Sequence, residues 1–81
     1  MKASPPTENL AGLTSGESAT IVAIQTDDAL RQRLSALGFR VGKRVEIIRK
    51  ASFSGPLQVR IGTTDILLRR NEAAQIAVEK P

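Results

Sequence analysis

Histidine and cysteine do most of the proton-transfer, nucleophilic and transition-metal chemistry available to side chains, and this 81-residue chain contains neither. What remains are serines, eight carboxylates and twelve bases. Ser15, Ser18 and Ser35 have no base near them in sequence that could activate a hydroxyl. The carboxylates are scattered. Only Asp27 and Asp28 adjoin, and neighbours at the start of a helix do not converge on one ion. No G-x-x-x-x-G-K-[ST] loop is present to cradle a phosphate, and the Gly38 to Gly42 spacing reads as turn geometry. We expect no catalytic residue, no metal site, no cofactor and no small-molecule substrate, hence a binding protein and not an enzyme.

A binding surface needs apolar anchors inside a polar rim. Phe39 and Phe53 are the only aromatics. Phe53 stands in a loop between Ser52 and Ser54, just after Arg49 and Lys50. It reads either as an exposed anchor for an acidic or membrane-proximal partner or as a cap folded over one end of the core. The second candidate surface is Phe39-Arg40-Val41. The net charge is +4, and Arg31 to Arg60 holds eight bases with Glu46 as the one acid. Such a stretch suits nucleic acid, an acidic protein or an anionic membrane, or simply a solvated face. Two aromatics are too few for a base-stacking platform, so a nucleic-acid-binding small barrel stands as the alternative function and would betray itself by a steep salt dependence.

These residues are positioned by a helix and a run of short strands. Leu30, Leu34 and Leu37 fall at i, i+4 and i+7, one face of a helix within Asp27–Gly42. Thr26, Asp27 or Asp28 can supply the N-cap. Gly38 suits the left-handed position that ends a helix; Phe39 would then be C″ and Leu34 C3, a pair that normally touches. Leu34, Leu37, Gly38 and Gly42 are therefore expected to be structural.

Around the helix, Ser18–Gln25 reads as a strand with imperfect alternation, and Arg44–Ala51 as another in which Ile48 breaks the pattern. Leu57, Val59 and Ile61 alternate cleanly with Gln58 and Arg60. In Asp65–Arg69, Ile66 and Leu68 point one way and Leu67 the other. Asn71 is expected to cap a helical turn before a last strand, Ile76–Glu79. About five strands with a helix between the first and second predict a mainly β fold, a small SH3-like β-barrel, with an OB-type barrel as the alternative. Residues 1–9, with two prolines and little to bury, read as a mobile tail, and residues 10–81 as the single domain. No apolar run approaches the roughly 18 residues of a membrane span, the N-terminus lacks the apolar stretch of a secretory signal, and a cytoplasmic location is expected.

One set of motifs runs through nearly the whole chain: Gly16-Glu17-Ser18-Ala19-Thr20-Ile21, then Arg33-Leu34-x-x-Leu37-Gly38-Phe39-x-x-Gly42. It continues through Val45-Glu46-Ile47-Ile48, Gly55-Pro56, Val59-x-Ile61 and Leu67-Leu68-Arg69-Arg70-x-Glu72-Ala73. In these residues and their spacing the chain resembles the ferrous iron transport protein A (FeoA) family. Where the family usually carries a loop like A-P-L-G-D-P, this sequence reads Ala51-Ser52-Phe53-Ser54-Gly55-Pro56. The resemblance implies an SH3-like barrel in the bacterial cytoplasm, recruited if at all to the inner face of the membrane. It implies an accessory or regulatory partner of the ferrous iron transporter FeoB, whose cytoplasmic part is a GTPase. A metal-sensing or iron-chaperone role would need a ferrous site that the sequence does not visibly offer.

Overall fold

A computed structural model describes residues 8–81, in which the alternating apolar segments become strands β1 (Glu8–Asn9), β2 (Ser18–Ile24), β3 (Arg44–Lys50), β4 (Leu57–Ile61), β5 (Thr64–Leu68) and β6 (Ile76–Glu79). They form one antiparallel sheet in the order β1-β6-β2-β3-β4-β5. Helix α1 (Asp28–Ala36) lies between β2 and β3, and the four-residue α2 (Arg70–Ala73) between β5 and β6. The fold is mainly β with one main helix, and that helix falls where an SH3-like domain rather than an OB-type barrel places it. Among the described residues the strands number six, where about five were expected. Met1–Thr7 of the expected tail lie outside the described residues, but Glu8 and Asn9 pair with Val78 and Ala77. That pairing is made by the backbone, with a Lys80–Glu8 ion pair at 3.7 Å beside it, so no apolar pattern announced it.

The broken alternation of two strands has one cause. Register shifts occur between Ile21 and Ala23 against β6, and between Ile47 and Arg49 against β4. Val22 and Ile48 are thus the extra residues of β-bulges, which bend a strand and reverse its inward parity. In β2 the buried positions accordingly run Ala19, Ile21, then Ile24. The bent sheet closes on a single core in which Leu10, Leu13, Leu34, Phe39, Val45, Ile47, Leu57, Val59 and Leu68 are all buried.

Helix α1 is fixed at both ends. Asp27 Oδ1 accepts the Leu30 N–H at 2.9 Å, which makes Asp27 the N-cap. At the other end the Phe39 N–H reaches Leu34 O at 2.9 Å and the Gly38 N–H reaches Ser35 O at 3.0 Å, with Gly38 at φ +105°. This is a Schellman ending with Leu37 as C-cap. Leu30 and Leu34 face the core, but Leu37, expected on the same apolar face, is 39% exposed. The helix stops at Leu37, and Phe39, at C″, is the next apolar side chain of the segment to be buried in the core. The second helix is capped differently from expectation as well. Arg69, not Asn71, is its N-cap, and the Glu72 carboxylate accepts the Arg69 N–H at 3.0 Å.

Candidate functional site

Among the described residues, the β3–β4 loop carries the most exposed of the large apolar side chains. Gly55 N–H bonds Ser52 O at 3.1 Å, and the two central residues, Phe53 (φ 58°) and Ser54 (φ 61°), are both left-handed. Two positive φ values define a type I′ turn, a place normally held by Asn-Gly. A side chain other than glycine or asparagine in that region costs on the order of 1–3 kcal/mol. Gly55 is required by crowding instead: a Cβ there would stand 2.7 Å from Ala51 Cβ. Phe53 is fully exposed, at 102% of its reference area, so it does not fold back as a cap over the core.

Beside this turn lies an open groove of about 870 Å³. Ser54, Gly55 and Pro56 form one wall; Leu67, Arg70 and Ala74 lie in the other. Leu67 is 70% exposed, because it alternates outward between the buried Ile66 and Leu68. The ionisable residues lining the groove are Arg69 and Arg70, both cations. Arg70 Nη2 makes a 3.4 Å bond to Ala51 O, while its Nε is buried without a partner. Acidic groups nearby are already engaged. Glu72 pairs with Arg33 of α1 and accepts the Arg69 N–H. Burial pulls the Glu72 carboxyl upward, but the Arg69 N–H and Arg33 outweigh it and hold the carboxyl below its ordinary range. On the outer sheet face Asp65 accepts from Arg60 Nε at 2.7 Å and from Gln58 at 3.1 Å, and is likewise held low, chiefly by Arg60.

The residues expected at the partner surface separate. Phe39 is 1% exposed and belongs to the core, so its expected partner contact is corrected. Arg40 and Val41 remain exposed at the helix exit, beside the half-exposed Leu37. That exit leads into the start of β3, whereas Phe53 follows its end. Six residue steps of strand separate the two surfaces by roughly 20 Å, so they are distinct. Leu67 and Arg70, which line the groove, lie outside the expected partner surface. The outward apolar position of Leu67 was a usable signal; Arg70 offered none. Among the described residues, no three of His, Cys, Asp and Glu gather where they could hold a metal ion, and no helix is long and apolar enough to cross a membrane.

A bent antiparallel sheet with one helix between its first two long strands, and with its distinctive features in exposed loops, defines a small SH3-like domain. The chain belongs to the FeoA family: the FeoA domain model matches residues 8–80. It is similar to the Fe(2+) transport protein A/Fe(2+) transporter FeoB fusion protein of Porphyromonas gingivalis, with 34% identity over 70 residues, 86% of this chain and 8% of that protein. It is similar to the zinc-complexed FeoA of Stenotrophomonas maltophilia, described as a procaryotic SH3 domain protein, at 33% identity and TM-score 0.77, over 88% of each chain. The FeoA protein of Chlorobium tepidum superposes with TM-score 0.83 at 30% identity, over 89% of this chain and 69% of the other.

Proposed function

We propose that the protein is a non-enzymatic accessory protein of bacterial ferrous iron uptake that acts in the cytoplasm by binding the GTPase-containing part of the transporter FeoB. The observation that carries this reading is the Porphyromonas gingivalis relative, in which a segment like this chain and FeoB are one polypeptide. Fusion holds two modules at an effective concentration in the millimolar range, which suits partners that otherwise meet by diffusion. Physical support comes from the surface, where Phe53 stands exposed at the tip of its loop and Leu67 stands exposed in a groove also lined by Arg69 and Arg70, a pattern that fits interface anchors within a polar rim.

The rival reading, a basic barrel on nucleic acid, loses support from the charge geometry. Of the eight bases between Arg31 and Arg60, Arg33 and Arg60 are paired with the carboxylates of Glu72 and Asp65, and Lys50 is held on Ala11 O and Leu13 O by part-buried bonds. The test is calorimetric titration of the protein into the purified cytoplasmic part of FeoB, with and without a non-hydrolysable GTP analogue. Saturable one-to-one binding is expected. Absence of binding in both nucleotide states, with retention on DNA or RNA at low salt, would refute the accessory reading.

A further inference from the structure

We propose that the groove between the β3–β4 loop and the β5–α2 junction receives an apolar side chain carried on an acidic segment of the protein partner. The inference rests on the accessory reading above and specifies the chemistry of the segment that would dock.

Size and lining come first. A cleft of about 870 Å³ lies within the range of roughly 300–1,000 Å³ typical of ligand sites, and Pro56, Leu67 and Ala74 give it apolar walls. Leu67 is the outward residue of a strand whose other outward residue, Asp65, is charged, so its exposure is not a general property of that face. Cross-strand register sets Leu67 in one row with Gln58 and Arg49, which extends the basic rim across the sheet.

Charge complementarity then selects the partner. Arg69 and Arg70 line the groove and no carboxylate does. Glu72, the nearest acid along the chain, is committed to Arg33 and to the Arg69 N–H, and it contributes to the separate cleft between α1 and α2. Arg70 makes a single side-chain bond, from Nη2 to Ala51 O at 3.4 Å, so the rest of its guanidinium fork is uncommitted to any carboxylate and can receive one. A second copy of the chain is a poor occupant, because a two-fold contact would oppose the same arginines. An anionic bilayer would meet the convex Phe53 tip but would leave the concave Leu67 wall unfilled.

The test is a titration of the 15N-labelled chain with two synthetic peptides, one with leucines set among glutamates and one with lysine at every glutamate. Vesicles of phosphatidylglycerol form the third arm. The acidic peptide should shift amide resonances of Gly55, Leu67, Arg70 and Ala74 saturably, and Leu67→Glu and Arg70→Gln should each weaken binding about tenfold or more. Equal binding of the lysine peptide, shifts elsewhere, or binding to vesicles alone would overturn the proposal. Capture of the FeoB cytoplasmic part by wild type and by Leu67→Glu alike would also overturn it while leaving the accessory reading intact. Peptide binding in the groove with no capture of FeoB would do the reverse.

Discussion

Replacing Gly38 by alanine isolates the backbone term in the helix exit. An alanine Cβ at this position would meet Ile61 Cγ2 at 3.7 Å, an ordinary contact, so crowding adds nothing. What remains is φ at +105°, which an L-residue adopts only at a cost of roughly 1–2 kcal/mol, part of it offset by the reduced freedom of the unfolded chain. For a domain of this size each kcal/mol shifts Tm by about 4–8 °C, so a loss of roughly 5–15 °C is expected. Thermal unfolding followed by circular dichroism, with urea midpoints as a second measure, reads this directly. Asparagine should cost less than alanine and valine should cost more, because tolerance of left-handed backbone falls in that order. Gly12→Ala is the control: its Cβ would meet nothing within 4 Å, its φ is not positive, and its melting point should scarcely move. A neutral or stabilising Gly38→Ala, or valine no worse than alanine, would mean that the Schellman geometry does not hold the exit.

That exit shows how far residue patterns reach. Gly38, Phe39 and Leu34 could be assigned to C′, C″ and C3 because each position has its own physical demand, and the two hydrogen bonds lie as those roles require. The same assignment already implied that Phe39 is buried against Leu34, yet its aromatic character beside Arg40 argued for a contact surface. Packing geometry outranks residue type at C″. Leu37 fails for a related reason: helical periodicity counts it on the apolar face but does not know where the helix stops. The β4 strand was legible because alternation needs no partner to be seen, whereas Val22 and Ile48 blurred their strands through bulges set by register. Strand β1 was invisible because backbone pairing leaves no side-chain signature. At the candidate site Phe53 could be named, but not its exposure. That follows from two left-handed residues, which local propensity opposes and which the hydrogen bonds of the loop impose. The groove was beyond reach, since it joins residues from the β3–β4 loop and from β5–α2 that approach only after the sheet bends.

Leu34, fully buried in the core, should cost about 2–5 kcal/mol when cut to alanine, enough to unfold much of a marginally stable domain, and an unchanged Tm would show α1 undocked. Glu17 predicts acid sensitivity: the Thr14 N–H and then Lys80 take its carboxyl from the ordinary 4.5 down to about 2. The folded carboxyl thus stays charged where the unfolded one has bound a proton, so its contribution is complete above pH 5 and is lost as pH falls toward 2. Glu17→Gln should flatten Tm against pH in that window, and a slope identical to wild type would refute the assignment. The last prediction joins stability to function at the β3–β4 turn. If Phe53 and Ser54 are held left-handed at a cost, then Phe53→Asn with Ser54→Gly installs the pair a type I′ turn favours. The double variant should gain about 1–2 kcal/mol and roughly 5–10 °C in Tm. It also removes the exposed ring, so capture of the FeoB cytoplasmic part should weaken severalfold. A stability gain with capture unchanged would remove Phe53 from the interface and turn attention to Arg40 and Val41. No gain in stability would mean the turn is not strained as its dihedral angles indicate. A protein that becomes more stable as it binds less well would show that the strain at Phe53 is tolerated for the sake of what its side chain reaches.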